Sequence, residues 1–304
     1  MSPALFFSGR RMQATRGKRR NHALQCGRRR LDLSEPRVMG VLNLTPDSFS
    51  DGGRHLDPER ALERAHQMVE EGAHIIDVGA ESTRPGAEGV DEDAELERLM
   101  PVLERLSGNV DAIVSVDTNK PGVMRQAVAA GADMINDVRG FADPESMAIA
   151  AETDVAVCIM HMRGEPRNMQ KDPRYGEVVR EVRGFLKERA QALEEAGVDS
   201  GRIAVDPGFG FGKTLAHNLT MLRELGAFSA SGYPVLVGMS RKSMIGQVLD
   251  RPVEERLHGS VAVATLAGWL GASIVRVHDV RPTVDALRMV AAVHDETSLA
   301  GESS

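Results

Sequence analysis

Short apolar runs alternate with longer stretches of helical periodicity along this chain. The apolar runs fall at 38–42, 74–78, 112–116, 134–137, 155–160, 203–205, 234–237 and 274–277. Continuous apolar runs of this length predict strands buried on both faces. Between them lie helix-like stretches at 58–71, 91–106, 121–130, 144–152, 177–196, 215–225, 254–270 and 283–293. In the first of these, Leu62, Ala65, Met68 and Val69 recur at the spacing of one helical face. A small repeat supports the alternation: Gly72-Ala73, Gly131-Ala132, Gly197-Val198 and Gly271-Ala272 each stand between a helix and the next strand. Glycine there permits the left-handed conformation that closes a helix.

Eight strands alternating with eight helices predict an α/β fold, a single-domain (β/α)8 TIM barrel over residues 35–295. An open doubly wound sheet is the alternative on pattern alone. Residues 296–304 read as a frayed tail. In a barrel the chemistry sits where the strands end. Here they end at Asn43, Asp77, Asp117, Asn136–Asp137, Met160–His161, Asp206, 238–242 and Arg276–His278. The sequence thus predicts carboxylates, carboxamides, a lysine, an arginine and two histidines facing one mouth.

Composition changes this picture little. The 304 residues are 42% hydrophobic and 27% charged, which is ordinary globular usage. Aromatic content is 4%, with Trp269 the single tryptophan, so Ala, Val, Leu, Ile and the 15 methionines must fill the core. A net charge of −7 argues against a general nucleic-acid binder. The charge is uneven: residues 1–31 hold nine arginines and lysines and no acid. Residues 1–34 therefore read as a basic, disordered extension or as sequence upstream of the true start. A targeting peptide or an anion-binding arm is the sharper alternative. Cys26 in that segment and Cys158 in an apolar run do not suggest a structural disulfide. The chain shows no signal-peptide pattern and no apolar run of about 18 residues, so a soluble, cytoplasmic protein without a membrane partner is expected.

Individually, Asp117, Asn136 and Asp206 are ordinary cap residues. On three strands of one mouth, they suit a flat ligand with several N–H donors, such as a pterin or guanine-like ring. A carboxylate can accept two parallel N–H bonds from such an edge. Lys242, in GMSRKSMIG, reads as a solvated charge, a carbonyl or phosphate contact, or a Schiff-base lysine. Arg276 and His278 alternate along RVHD, so they share one side of the last strand and imply an anion site. Asn43 on the neighbouring strand could ligate a Mg2+ that shares a phosphate oxygen. The polar loops 43–54 and 80–90 could close over a substrate, or simply be solvated. GFGFGKT at 208–214 imitates a phosphate-binding loop, but Pro207 stands where that motif needs glycine. His161 has no second ligand at metal spacing.

Together, GVLNLTPDSFSDGG, IIDVGAESTRPGA, VSVDTNKPGV, INDVRG, MHMRG, DPGFGFGKT, GMSRKS and IVRVHDV resemble the bacterial dihydropteroate synthases. The resemblance covers most of the chain, from Pro36 to Val293. It implies a (β/α)8 barrel, a homodimer and a Mg2+ requirement. The implied reaction joins 6-hydroxymethyl-7,8-dihydropterin diphosphate to 4-aminobenzoate, releasing pyrophosphate, with sulfonamides competing for the aminobenzoate site. By motif, Asp117, Asn136, Met160, Asp206 and Lys242 would hold the pterin. Asn43, Thr83, Arg276 and His278 would hold the diphosphate, with Asn43 on the metal. Phe49, Thr83, Arg84, Pro85, Phe211 and Ser243 would form the aminobenzoate site, and Asp77 would act from behind. The catalytic set implied is Asn43, Asp117, Lys242, Arg276 and His278. The resemblance also implies that the diphosphate leaves before the aniline attacks.

The chain departs from the family pattern at Gly79-Ala80, at His258-Gly259-Ser260 and over the first 34 residues. A methyl-carrying pterin barrel, a Schiff-base aldolase on Lys242 and a catalytically silent pterin binder are the competing readings.

Overall fold

The computed structural model describes residues 22–44, 57–81 and 89–294. A short antiparallel hairpin, β1 (Ala23–Cys26) and β2 (Arg29–Asp32), precedes eight parallel strands. These are β3 (Arg37–Asn43), β4 (Ile75–Gly79), β5 (Ile113–Asp117), β6 (Met134–Asp137), β7 (Ala156–Met160), β8 (Ile203–Asp206), β9 (Leu236–Val237) and β10 (Ile274–Val277). Their hydrogen-bonded order is β8-β7-β6-β5-β4-β3-β10-β9. Val205 at one end bridges Val235 at the other in parallel, and its amide donates to the Pro234 carbonyl at 2.9 Å. The ring of strands is thereby closed into the barrel that the alternation predicts.

The helices are α1 (Pro58–Glu70), α2 (Glu92–Leu106), α3 (Pro121–Ala129), α4 (Pro144–Glu152), α5 (Val178–Glu195), α6 (Leu215–Arg223), α7 (Gly226–Ser229), α8 (Ser243–Leu249), α9 (Leu257–Trp269) and α10 (Val280–His294). Their starts are set locally. Asp57 accepts from the amides of Glu59 and Arg60 ahead of Pro58, and Asp91 accepts from Ala94 at 2.8 Å. The four repeated glycines all carry left-handed φ, Gly72 at 101° among them, as the repeat predicts. None of the described helices is long and apolar enough to cross a membrane.

Period-two alternation sorts each strand into two faces. Outward residues such as Val38, Ile76, Val114 and Val116 pack under the helices with Leu99, Val102 and Leu103 of α2. Inward residues form layers. At the floor lie Met39, Ile75, Ile113, Met134, Ala156, Ala204, Leu236 and Ile274, all buried. One step up come Val41, Asp77, Ser115, Asn136, Cys158, Asp206 and Arg276. A further step brings Asn43, Gly79, Asp117, Met160 and His278. The interior turns from apolar to polar over about 7 Å of strand rise.

The hairpin corrects one expectation. Residues 22–34 are not a disordered extension. Leu24, Cys26, Leu31 and Leu33 alternate inward and join the floor layer, each at most 7% exposed. Arg29 clamps the hairpin by donating to the Ala112 carbonyl at 3.1 Å. An open barrel bottom would leave the floor residues wet, and burying each such side chain is worth about 1.5–3 kcal/mol. Cys26 and Cys158 are free thiols within that cluster. Residues 1–21 and 296–304 lie outside the described residues. Helices α7 and α8 are further elements that the sequence pattern does not predict.

Candidate active site

Inward alternation brings Asp77, Asp117, Asn136, Met160, Asp206, Arg276 and His278 to one end of the barrel, where the strands stop. The centre of the constellation is Arg276. Its Nε donates to Asp77 Oδ2 at 2.6 Å, and a terminal nitrogen donates to Asp117 Oδ2 at 2.9 Å. Asp77 is fully buried, and its other oxygen accepts from the Ser115 hydroxyl at 2.6 Å. Charge-assisted bonds of this kind orient a guanidinium as well as neutralise it. Burial works against the Arg276 charge, but Asp77 and Asp117 outweigh it and raise its pKa. Burial pushes the Asp117 carboxyl up to about 7, against the pull of Arg276.

Asp206 is raised by burial, with Lys242 opposing. Its Oδ1 accepts from the Gly208 amide at 2.7 Å, which starts the turn after β8. Lys242 precedes α8 and donates to the Phe209 carbonyl, with its ammonium 4.4 Å from the centre of the Phe211 ring. Burial lowers Lys242 to about 8. Asn136 is 5% exposed, and its Oδ1 has no hydrogen-bond partner. A buried acceptor left open is costly unless a ligand fills it. Met160 and Phe211 belong to one small apolar cluster with Val138 and Met169. The mouth therefore offers acceptors, an ammonium and an apolar wall, which is what a flat, donor-rich heterocycle needs.

His278 sits on the half-exposed rim, with Nδ1 3.1 Å from Ser240 Oγ. Asn43 ends β3 on the same rim, half-buried. Ser243 is exposed at the start of α8. Phe49, Thr83, Arg84 and Pro85 lie outside the described residues, as does most of both polar loops.

Two strand-end residues do not face the mouth. Asp137 has the opposite parity to Asn136 and accepts from the amides of Arg139 and Phe141, closing a turn. His161 follows inward Met160, so it faces the helices, edge-on to Phe185 of α5 at 5.0 Å. The sequence reading missed Ser115, Ser240 and Lys213 as supports of the site. Parity alone would have placed Ser115 beside Asp77.

Residues 39–278 match the sequence pattern of the family described as pterin binding enzyme. The dihydropteroate synthase of Escherichia coli (strain K12) is 50% identical over 262 residues, which are 86% of this chain and 93% of that protein. Dihydropteroate synthase of Xanthomonas albilineans, solved with 4-aminobenzoic acid, aligns at TM-score 0.85 and 49% identity, covering 90% of this chain and 98% of that one. Burkholderia cenocepacia dihydropteroate synthase, complexed with 7,8-dihydropteroate, aligns at TM-score 0.83 and 47% identity, covering 92% and 99%. These similarities span the barrel and its polar mouth together, so this chain belongs to the pterin-binding enzyme family, among its dihydropteroate synthases.

Proposed function

We propose that the polar layer at the strand ends carries out the dihydropteroate synthase reaction of this family. The reaction condenses 6-hydroxymethyl-7,8-dihydropterin diphosphate with 4-aminobenzoate to give 7,8-dihydropteroate and pyrophosphate. The observation that carries the site assignment is the open acceptor of Asn136, whose strand lies between those of Asp117 and Asp206, with Asp117 beside Asn136 and Met160 beside Asp206 in register. In this reading Asn136 and Asp206 accept the pterin N–H groups, Lys242 donates to a ring acceptor, and Met160 packs against the ring. Asp77 holds Arg276 from behind by its Nε, which leaves the terminal nitrogens for Asp117 and an incoming diphosphate.

Catalysis then rests on charge. The C–O bond to the diphosphate breaks, and the leaving group takes the electron pair. Arg276 and His278 stabilise its growing negative charge. The buried carboxylates Asp117 and Asp206 favour positive charge on the dihydropterin. The aniline nitrogen attacks the methylene carbon and then gives up its proton to solvent. Phe211 and Ser243, with the loop residues Phe49, Thr83, Arg84 and Pro85, form the aminobenzoate side.

Among the described residues, no three His, Cys, Asp or Glu side chains gather into a metal-binding group. A half-buried carboxamide at Asn43, one strand from His278, fits Mg2+ arriving with the diphosphate, because Mg2+ keeps waters and phosphate oxygens as ligands. When bound, the metal would neutralise leaving-group charge. A second copy of the chain is the expected partner, supported by exposed Leu249, Leu266, Met289 and Val293 on the neighbouring helices α8, α9 and α10. A cytoplasmic setting suits the two free thiols.

The test is pyrophosphate release from dihydropterin diphosphate, with and without 4-aminobenzoate, Mg2+ and a sulfonamide. Release that needs aminobenzoate and is antagonised by the sulfonamide is expected. Pterin binding without release would overturn the reading in favour of a silent binder.

A further inference from the structure

The lysine of the GFGFGKT segment, discarded as a phosphate-binding residue, is one of the most enclosed charges in the molecule. Lys213 is 2% exposed. Its Nζ donates to the carbonyls of Gly208 at 2.9 Å, Phe211 at 3.0 Å and His161 at 3.3 Å, and lies 2.9 Å from His161 Nδ1. Burial lowers the Lys213 pKa well below its ordinary value, against the pull of Asp206, while three facing carbonyls favour the ammonium; in that form Lys213 has no acceptor, and His161 shares one of its three N–H groups at Nδ1. Burial, with Lys213 and Arg163 nearby, lowers the His161 pKa to about 3, in keeping with a neutral ring. These contacts tie together the end of β7, the turn 207–212 and the start of α6.

That turn has little freedom to find its place otherwise. Gly208 has φ 69°, and a Cβ there would collide with the His161 carbonyl oxygen. The turn packs backbone against backbone, and the ammonium seated inside it satisfies carbonyls that face inward. On its outer side the same turn carries the Phe209 carbonyl that receives Lys242 and the Phe211 ring below it.

We infer that Lys213 is a positioning residue for the aminobenzoate side of the site, setting the Phe211 wall through its clamp on turn 207–212 and His161. This rests on the site reading given above. It assigns a role to two residues, Lys213 and His161, that touch no substrate.

The experiment compares wild type with Lys213→Met, His161→Leu and His161→Asn, measuring both KM values, kcat and urea stability. Asn offers an oxygen near the position of Nδ1, so it can still accept from Lys213, whereas Leu cannot. Lys213→Met and His161→Leu are expected to raise KM for 4-aminobenzoate tenfold or more, with KM for the dihydropterin diphosphate within threefold of wild type. His161→Asn is expected to stay within threefold for both. If Lys213→Met does not fold, the His161→Leu and His161→Asn pair carries the test alone. Equal rises in both KM values, or lost stability with both KM values unchanged, would overturn the inference and leave a purely structural lysine. An inactive wild-type protein would instead refute the functional reading itself.

Discussion

Replacing Arg276 by alanine removes the cation that Asp77 and Asp117 share. Asp77 is fully buried and the Asp117 side chain is 12% exposed, so neither is rescued by bulk water. Removing one partner of a buried ion pair costs about 3–5 kcal/mol. Two features place the expected loss at the lower end, about 3 kcal/mol. Asp77 keeps its bond from Ser115, and Asp117, already pushed up to about 7 by burial, can take a proton. The rate effect is separate. Arg276 is a cation at the mouth placed to meet a leaving diphosphate, and losing one preorganised contact of that kind costs about 100-fold or more in turnover. Urea unfolding and initial rates of pyrophosphate release at 25 °C read the two effects independently. A kcat/KM near that of wild type would refute the assignment of Arg276 to the leaving group. An unchanged urea midpoint would refute the energetics of the buried triad. Arg276→Lys should fall between, because an ammonium keeps the charge but loses the fork that spans Asp77 and Asp117.

Three further outcomes are expected. Asn136→Ala should raise KM for the pterin substrate about tenfold, as loss of one buried hydrogen bond does, while stability holds or rises because an unpartnered oxygen is removed. A lower urea midpoint with unchanged KM would contradict the open-acceptor role. Leu24→Ala, in the hairpin that plugs the barrel floor, should cost about 2–5 kcal/mol of stability with kcat/KM intact at 25 °C. A loss under 1 kcal/mol, measured by urea titration, would mean the hairpin is not part of the core. The third concerns acid. Unfolded His161 titrates near 6.5 and folded His161 at about 3, so the unfolded chain holds the extra proton between those values and stability falls as pH drops through that window. Asp137, raised by burial to about 6, acts in the opposite sense, so the comparison must be wild type against His161→Asn. Between pH 7.5 and 5.0 wild type should lose about 1–2 kcal/mol more than the variant; parallel pH profiles would show that His161 is not buried in its neutral form.

The alternation of apolar runs and amphipathic stretches was enough to give the barrel, because each short buried strand and each one-sided helix is a local pattern with one way to bury itself. The same locality made Asp117, Asn136, Asp206, Arg276 and His278 legible as strand-end residues. What failed was local in appearance only. In RRRLDL, residues 28–33, two leucines stand beside three arginines, and nothing near them in sequence says that a barrel floor awaits. Asp137 and His161 lie next to site residues in the chain, but pleat parity turns them to the other face, where they build a turn and receive Lys213.

The sequence by itself determined the eight strands of the barrel, the end of it that carries chemistry and the family of reactions. Tertiary structure alone decided who partners whom. Asp77 and Arg276 are 199 residues apart and meet at 2.6 Å, and Lys213 finds His161 across 52 residues. Those distances follow from ring closure and strand register, which are properties of the closed sheet rather than of any segment of it.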